Sequence, residues 1–222
     1  MSRPRLLITW LVAAPLPALA ASIPLYPTGP SEDSAFLRFV SAAPGTLELV
    51  AAGSGASLAL EGDSAASDFL VVPAGKPVQG TLTRGEKQQA LDVTVEPGEF
   101  VTVVGLAGQG ETMDVRVVRE QADDFSALKA SLAFYNLDGS CKNATLNAAG
   151  RNVSIFKAVA LDGFQRRLIN PLNLSVQLLC GGQPVGEPLA LGQLEAGERY
   201  SVMLAPSANG SRLFQARDTV AN

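Results

Sequence analysis

Very few side chains in this 222-residue sequence are of a type and spacing that does chemistry. There is no histidine. A serine or cysteine nucleophile ordinarily needs an imidazole to take its proton near neutral pH, so most hydrolytic and acyl-transfer triads are unsupported. Ser34 follows the acidic pair Glu32-Asp33 but does not sit in a G-x-S-x-G elbow, and it reads as a polar loop serine. Zinc sites draw on His and Cys together, and the only cysteines are Cys141 and Cys180. They do not form a C-x-x-C redox motif. No metal and no cofactor is expected.

Carboxylates are plentiful, so paired acids for glycoside cleavage are open on composition. The aromatic platforms that accompany such sites are not. The one tryptophan, Trp10, lies in the apolar leader, and Tyr135 and Tyr200 fall on expected strands among apolar neighbours, where core packing is their natural role. The glycines from Gly105 to Gly110 lack a following Lys-Ser/Thr and read as a hairpin turn rather than a phosphate loop. Four N-x-S/T triplets, at Asn143, Asn152, Asn173 and Asn209, would matter only in a eukaryotic secreted protein.

One segment invites a recognition role. In Ile23 to Ser34 three prolines stiffen an extended stretch, and an acidic pair follows before the first strand. Tyr26, Pro27, Thr28, Gly29, Glu32 and Asp33 are the candidate partner-binding residues. The plainer alternative is an edge strand and loop laid across the first domain.

The leader places the chain outside the cytoplasm. Arg3 and Arg5 precede the apolar run Leu6 to Leu16, and Ala18-Leu19-Ala20 offers a small-x-small cleavage pattern. The run is shorter than the roughly 20 residues of a membrane span and is broken by Pro15 and Pro17. Cleavage is expected near Ala20/Ala21, giving a periplasmic protein with no direct membrane anchor. In an oxidising compartment the two cysteines most simply form one disulfide, closing a loop worth roughly 3–4 kcal/mol in the chain-entropy model. Without Arg3 and Arg5 the chain has 15 basic against 21 acidic residues, a net charge of −6. That balance argues against nucleic acid and anionic membranes, whose binders cluster Lys and Arg. The pair Arg166-Arg167 reads as solvated surface.

The elements available to position anything are strands. Phe36 to Val40, Leu91 to Val95, Phe100 to Val104 and Val115 to Val118 are short and β-branched or aromatic. Several alternate apolar with polar, as a half-buried strand does. Breaks at Pro44-Gly45, Gly53-Ser54-Gly55, Pro73-Ala74-Gly75 and Pro97-Gly98 leave little room for long helices. A repeat is also visible. Glu96 to Val103 resembles Glu195 to Val202, Ala35 to Phe39 resembles Ala130 to Phe134, and Arg119-Glu120 matches Arg217-Asp218, at offsets of 99, 95 and 98. The fold expected is all-β: two tandem β-sandwich domains, Ig-like or jelly-roll-like, of similar topology. Residues 1–20 are the signal peptide, 21–120 the first domain and 126–222 the second, which holds the disulfide. In each copy alternate apolar residues face inward, Leu37 and Phe39 in the first and Leu132 and Phe134 in the second. The polar stretch Arg119 to Phe125, with Asp123-Asp124, is the expected linker.

The run Leu25-Tyr26-Pro27-Thr28-Gly29-Pro30-Ser31-Glu32-Asp33-Ser34-Ala35-Phe36-Leu37-Arg38-Phe39-Val40 resembles the start of the mature chain in the AlgF family of periplasmic alginate O-acetylation proteins. Chain length, leader and the second-domain cysteine pair agree with it. The resemblance implies a role in acetylating a secreted uronic-acid polysaccharide. There, a membrane-bound O-acyltransferase and periplasmic SGNH-type acetyltransferase-like proteins carry the chemistry. It implies no catalytic residue at any position of this sequence. Together with the missing catalytic groups it points to a non-catalytic adaptor whose partners are those acetyltransferase-like proteins, with at most weak alginate contact. The alternatives are a polysaccharide-binding module presenting alginate, which the negative charge and absent tryptophan disfavour, and an acetyl-group carrier, for which no residue stands out.

Overall fold

The computed structural model describes residues 34–62, 65–108, 113–122 and 126–221. The leader, Tyr26, Pro27, Thr28, Gly29, Glu32, Asp33 and the linker acids Asp123 and Asp124 lie outside the described residues. All regular structure among the described residues is β, and no helix there is long and apolar enough to cross a membrane.

Residues 34–120 supply nine strands: β1 (Ser34–Ser41), β2 (Leu47–Ala51), β3 (Ser57–Leu60), β4 (Ala65–Ala66), β5 (Leu70–Pro73), β6 (Pro77–Arg84), β7 (Lys87–Thr94), β8 (Phe100–Ala107) and β9 (Met113–Glu120). Residues 130–217 supply eight: β10 (Ala130–Asn136), β11 (Asn143–Ala148), β12 (Val153–Ala160), β13 (Gly163–Ile169), β14 (Leu172–Cys180), β15 (Gln183–Leu194), β16 (Arg199–Ser207) and β17 (Gly210–Arg217). Each set forms two sheets. In the first they run β3-β2-β6-β7 and β4/β5-β1-β8-β9, and in the second β12-β11-β14-β15 and β13-β10-β16-β17. The strand order is the same in both, with β13 in the place shared by β4 and β5.

The repeated segments occupy equivalent places. β1 runs parallel to β8, pairing Phe36 with Phe100, and β10 runs parallel to β16, pairing Ser131 with Arg199. Gly98 and Gly197 both adopt positive φ, 72° and 80°, which a residue with a Cβ enters only at a cost. Their amides bond back to Ser34 and Lys129 at 2.8 and 2.9 Å, so the same turn delivers the chain to the same strand in each half. Gly105 is not part of a hairpin turn. It lies within β8, where a Cβ would come within 2.9 Å of Leu47 Cδ2, and the β8–β9 connection falls after Ala107.

Three buried apolar clusters set the layering. Ala35, Leu37 and Phe39 face Leu47, Leu49, Leu82 and Leu91 inside the first sandwich. Leu132 and Phe134 face Leu146, Phe156, Val176 and Leu178 inside the second, beside the Cys141–Cys180 disulfide, whose Cα atoms are 5.5 Å apart. The third cluster joins Val40, Val104, Leu106 and Val118 of one sandwich to Ala133, Tyr135, Met203 and Phe214 of the other. Four sheets therefore stack in series. The half-buried alternation expected for the Phe36–Val40 strand does not hold, because the second sandwich covers the face that would otherwise be wet. β1 from Ala35 onward and all of β10 are buried.

Candidate functional site

The polar residues in these doubly covered strands converge on the seam between the sandwiches. Strand pleating aims alternate side chains at opposite faces. In β1 the core takes Leu37 and Phe39, so Arg38 must point at the seam. β8 sends Thr102 there, β10 sends Ser131 and Tyr135, β13 sends Arg166 and β16 sends Ser201. The ends of β9 and β17 contribute Glu120 and Asp218. Arg38 is fully buried and is the largest side chain so placed among the described residues.

A charged group there is tolerable only if its hydrogen bonds are met and its charge is matched. Arg38 Nη1 donates to Asp218 Oδ1 at 2.6 Å, Nε to Thr102 Oγ1 at 2.8 Å, and Nη2 to Ser201 Oγ at 2.9 Å and Tyr135 Oη at 3.3 Å. Arg166 bridges the two acids: Nε reaches Glu120 Oε2 at 2.9 Å and Nη2 reaches Asp218 Oδ2 at 2.8 Å. Tyr135 donates to Glu120 Oε1 at 2.6 Å, and Ser201 Oγ lies 2.7 and 2.9 Å from the two oxygens of Asp218. Two guanidiniums thus face two carboxylates.

The titration behaviour follows from burial and partners. Burial works against an ionised Asp218, but Arg38 and Arg166 outweigh it and hold its carboxyl below the ordinary value of 3.8. Burial likewise opposes the charge on Arg38 and on Arg166. The facing carboxylates and the Tyr135 oxygen overcome it and raise both guanidiniums. Tyr135 itself is raised, chiefly by burial, which keeps its phenol protonated and able to donate.

Aromatic rings wall the network. The Arg38 guanidinium sits 4.5 Å from the centroid of Phe69, and Arg199 sits 5.0 Å from that of Phe100. Phe36 stacks on Phe100 at 4.4 Å. Past β17 the chain crosses to the first sandwich: Phe69 N donates to Thr219 O at 2.7 Å and Ala221 N to Phe69 O at 2.9 Å. At the rim Arg116 pairs with Asp162 at 3.0 Å.

Ser201 with Asp218 is a hydroxyl beside a carboxylate, the kind of pair from which a nucleophile is built. Here the hydroxyl is fully buried, donates to Asp218 and accepts from Arg38, so no substrate atom can reach it. The chemistry this arrangement performs is registration. It fixes one sheet on another, because any slip strands a buried charge.

Of the residues singled out in the sequence, Cys141 and Cys180 are joined, and Ser34 opens β1. The candidate recognition residues Tyr26, Pro27, Thr28, Gly29, Glu32 and Asp33 lie outside the described residues. Arg166 corrects an expectation: it is not solvated surface but a nearly buried member of the seam, whereas its neighbour Arg167 is exposed and donates to Ile155 O at 2.8 Å. Arg119 and Glu120 also depart from the expected linker, since both belong to β9 and Glu120 is buried. Arg38, Tyr135, Ser201 and Asp218 were not legible as a site. The one signal was the match of Arg119-Glu120 to Arg217-Asp218, whose second members are the two seam acids. Among the described residues no group of three potential metal ligands gathers.

These features define an all-β protein of two β-sandwiches stacked across a buried charged seam. The chain belongs to the AlgF family: the family model described as alginate O-acetyl transferase AlgF matches residues 9–201. The family takes part in alginate O-acetylation. No curated protein sequence matches the chain. Among solved structures it is similar to the C-terminal domain of AlgF from P. aeruginosa, at 24% identity and a TM-score of 0.35, over 40% of this chain and 98% of that one. It is also similar to a putative cell adhesion protein from Bacteroides uniformis, at 10% identity and a TM-score of 0.28, over 86% and 99% of the two chains.

Proposed function

We propose that this chain is a non-catalytic periplasmic adaptor for alginate O-acetylation, exported by a signal peptide cleaved near Ala20/Ala21. It links a membrane-bound O-acyltransferase system to periplasmic SGNH-type acetyltransferase-like proteins. The observation that supports this reading is the fusion of two sandwiches into one stack by a seam of buried charge. A stack held in this way keeps its two outer sheets a fixed distance apart, facing away from each other, which suits holding two partners in a set relation. The sealed state of the Ser201–Asp218 pair and the absence of histidine throughout the chain support assistance rather than chemistry. Tyr26, Pro27, Thr28, Gly29, Glu32 and Asp33 are the proposed recognition residues.

Two measurements test it. A strain lacking the chain is expected to export polymer at normal yield with its acetate lost, and retained acetate would remove it from the pathway. Capture of the tagged chain from periplasm is expected to recover acetyltransferase-like partners. Purified protein that turned over an acetyl ester unaided, and lost that activity on changing one of its own side chains, would make it an enzyme instead.

A further inference from the structure

Between the β11–β12 hairpin and the β13–β14 turn, the core of the second sandwich opens to the surface. The opening is a cavity of about 280 Å³ walled by Val153, Ile155, Ile169, Leu172 and Leu174. Ile155, Ile169 and Leu172 are the partly covered margin of the core itself. Val153 is 59% exposed, a large apolar side chain left in water. Arg151 lines this cavity and also a second, more polar one of about 440 Å³, to which Asn147 and Gln177 belong. The two concavities therefore adjoin, with Arg151 common to both. None of these residues belongs to the seam.

Two groups there have bonding capacity that the described residues do not meet. Elsewhere arginines are engaged. Arg38, Arg116, Arg119, Arg166 and Arg217 each pair with a carboxylate. Arg84 and Arg167 donate to backbone oxygens, and Arg199 and Arg212 lie over aromatic rings. Arg151 is exposed, and among the described residues its side chain has no such partner. Asn147 is the second group. It is only 8% exposed, and its Oδ1 is buried with no hydrogen-bond partner. The neighbouring amide of Gln177 cannot turn to meet it, because its nitrogen is already held by Leu178 O and Val185 O, each at 3.1 Å. An unpaired buried acceptor costs stability that an incoming donor restores.

We infer that this face docks a segment of a partner protein in which an acidic residue is flanked by bulky apolar ones. An apolar side chain fills the cavity beside Val153 and Leu172, the carboxylate pairs with Arg151, and a backbone N–H donates to Asn147 Oδ1. The unmet acceptor selects a peptide over a free amphiphilic acid, which brings a carboxylate and an apolar tail but no N–H. The inference rests on the adaptor reading for the existence of such a partner, and it adds where on the second sandwich that partner sits.

The test is an NMR titration of the isotopically labelled mature chain with a capped Gly-Leu-Asp-Leu-Gly peptide. Saturable shifts confined to amides of residues 147–155 and 169–174 are expected, at a dissociation constant on the order of millimolar. Peptides with Asn for Asp, or with Ala for both Leu, should bind at least several-fold more weakly. Equal responses to the three peptides, or no saturable response to the first, would overturn the proposal. This comparison needs no variant. Hexanoate supplies the carboxylate and the apolar tail without an N–H. Its binding as tightly as the Leu-Asp-Leu peptide would overturn the assignment to a protein segment. Arg151→Gln, at an exposed position, should erase the preference for Asp over Asn, and an unchanged preference counts against the site. Asn147→Leu, close in shape, should weaken the peptide several-fold. Peptide binding by a chain that captures no periplasmic partner would uphold the site and fail the adaptor reading. Partner capture undiminished in Arg151→Gln, with no peptide binding, would do the reverse.

Discussion

The two sandwiches share a strand order and meet through equivalent sheets, yet they bring different side chains to the meeting. Position for position, Arg38 of the first half corresponds to Ala133 of the second, Phe100 to Arg199, Thr102 to Ser201 and Glu120 to Asp218. The acids and hydroxyls are kept on both sides. The cations are not: Arg38 comes from β1 of the first half, and Arg166 and Arg199 come from β13 and β16 of the second. A shared backbone makes the faces fit, and the divergent arginines make the fit specific to this pair of sheets. Covalent reinforcement is also uneven, because only the second sandwich carries a disulfide.

The comparison can be broken most severely at Arg38. Arg38→Met leaves Asp218 with a single guanidinium and strips Thr102 and Ser201 of their donor. A loss of about 3–5 kcal/mol is expected from denaturant unfolding. Replacing Arg38, Arg166, Glu120 and Asp218 together with apolar residues of similar size should recover much of that. If Arg38→Met proved neutral, the seam would be a passive contact. Cys141→Ser with Cys180→Ser comes next, at roughly 3–4 kcal/mol. Its effect should fall on the second sandwich, with amide exchange rising in β11 and β14 before β2 and β6. Uniform acceleration across both halves would mean the two unfold as one unit whatever is cut.

Acid titration sharpens the picture further. The Asp218 carboxyl is depressed when folded, so its contribution is complete above its ordinary value of 3.8 and is lost as pH falls through the lower folded value. Thermal unfolding should therefore show a midpoint that drops below about pH 4, with Asp218→Asn flattening the dependence. The smallest effect is expected at the rim. Arg119 pairs with Glu99 at 2.8 Å but is 45% exposed, and Arg119→Ala should cost less than about 1 kcal/mol and vanish in high salt. A larger cost would show that Glu99, nearly buried, depends on it.

Sandwich strands could be read from local pattern because each half buries one face of each sheet against its own partner. Leu37, Phe39, Leu132 and Phe134 face the cores that their alternation implies. Gly98 and Gly197 sit where turn chemistry puts them. The seam could not be read in the same way. Arg38 amid apolar neighbours looks like the wet side of an edge strand, and Arg166 beside Arg167 looks like surface, because nothing local distinguishes a face covered by solvent from one covered by another domain. Glu120 and Asp218 stood out only as a repeated pair, with no indication of what they would meet.

What the sequence determined by itself was the strand pattern, the turns, the cysteine pairing and the twofold plan, all of which depend on residues close along the chain or on composition. The tertiary structure alone decided which outward faces would be buried. That depends on contacts as distant as Arg38 with Asp218, 180 positions apart, where the cost of an unmatched buried charge selects a single arrangement.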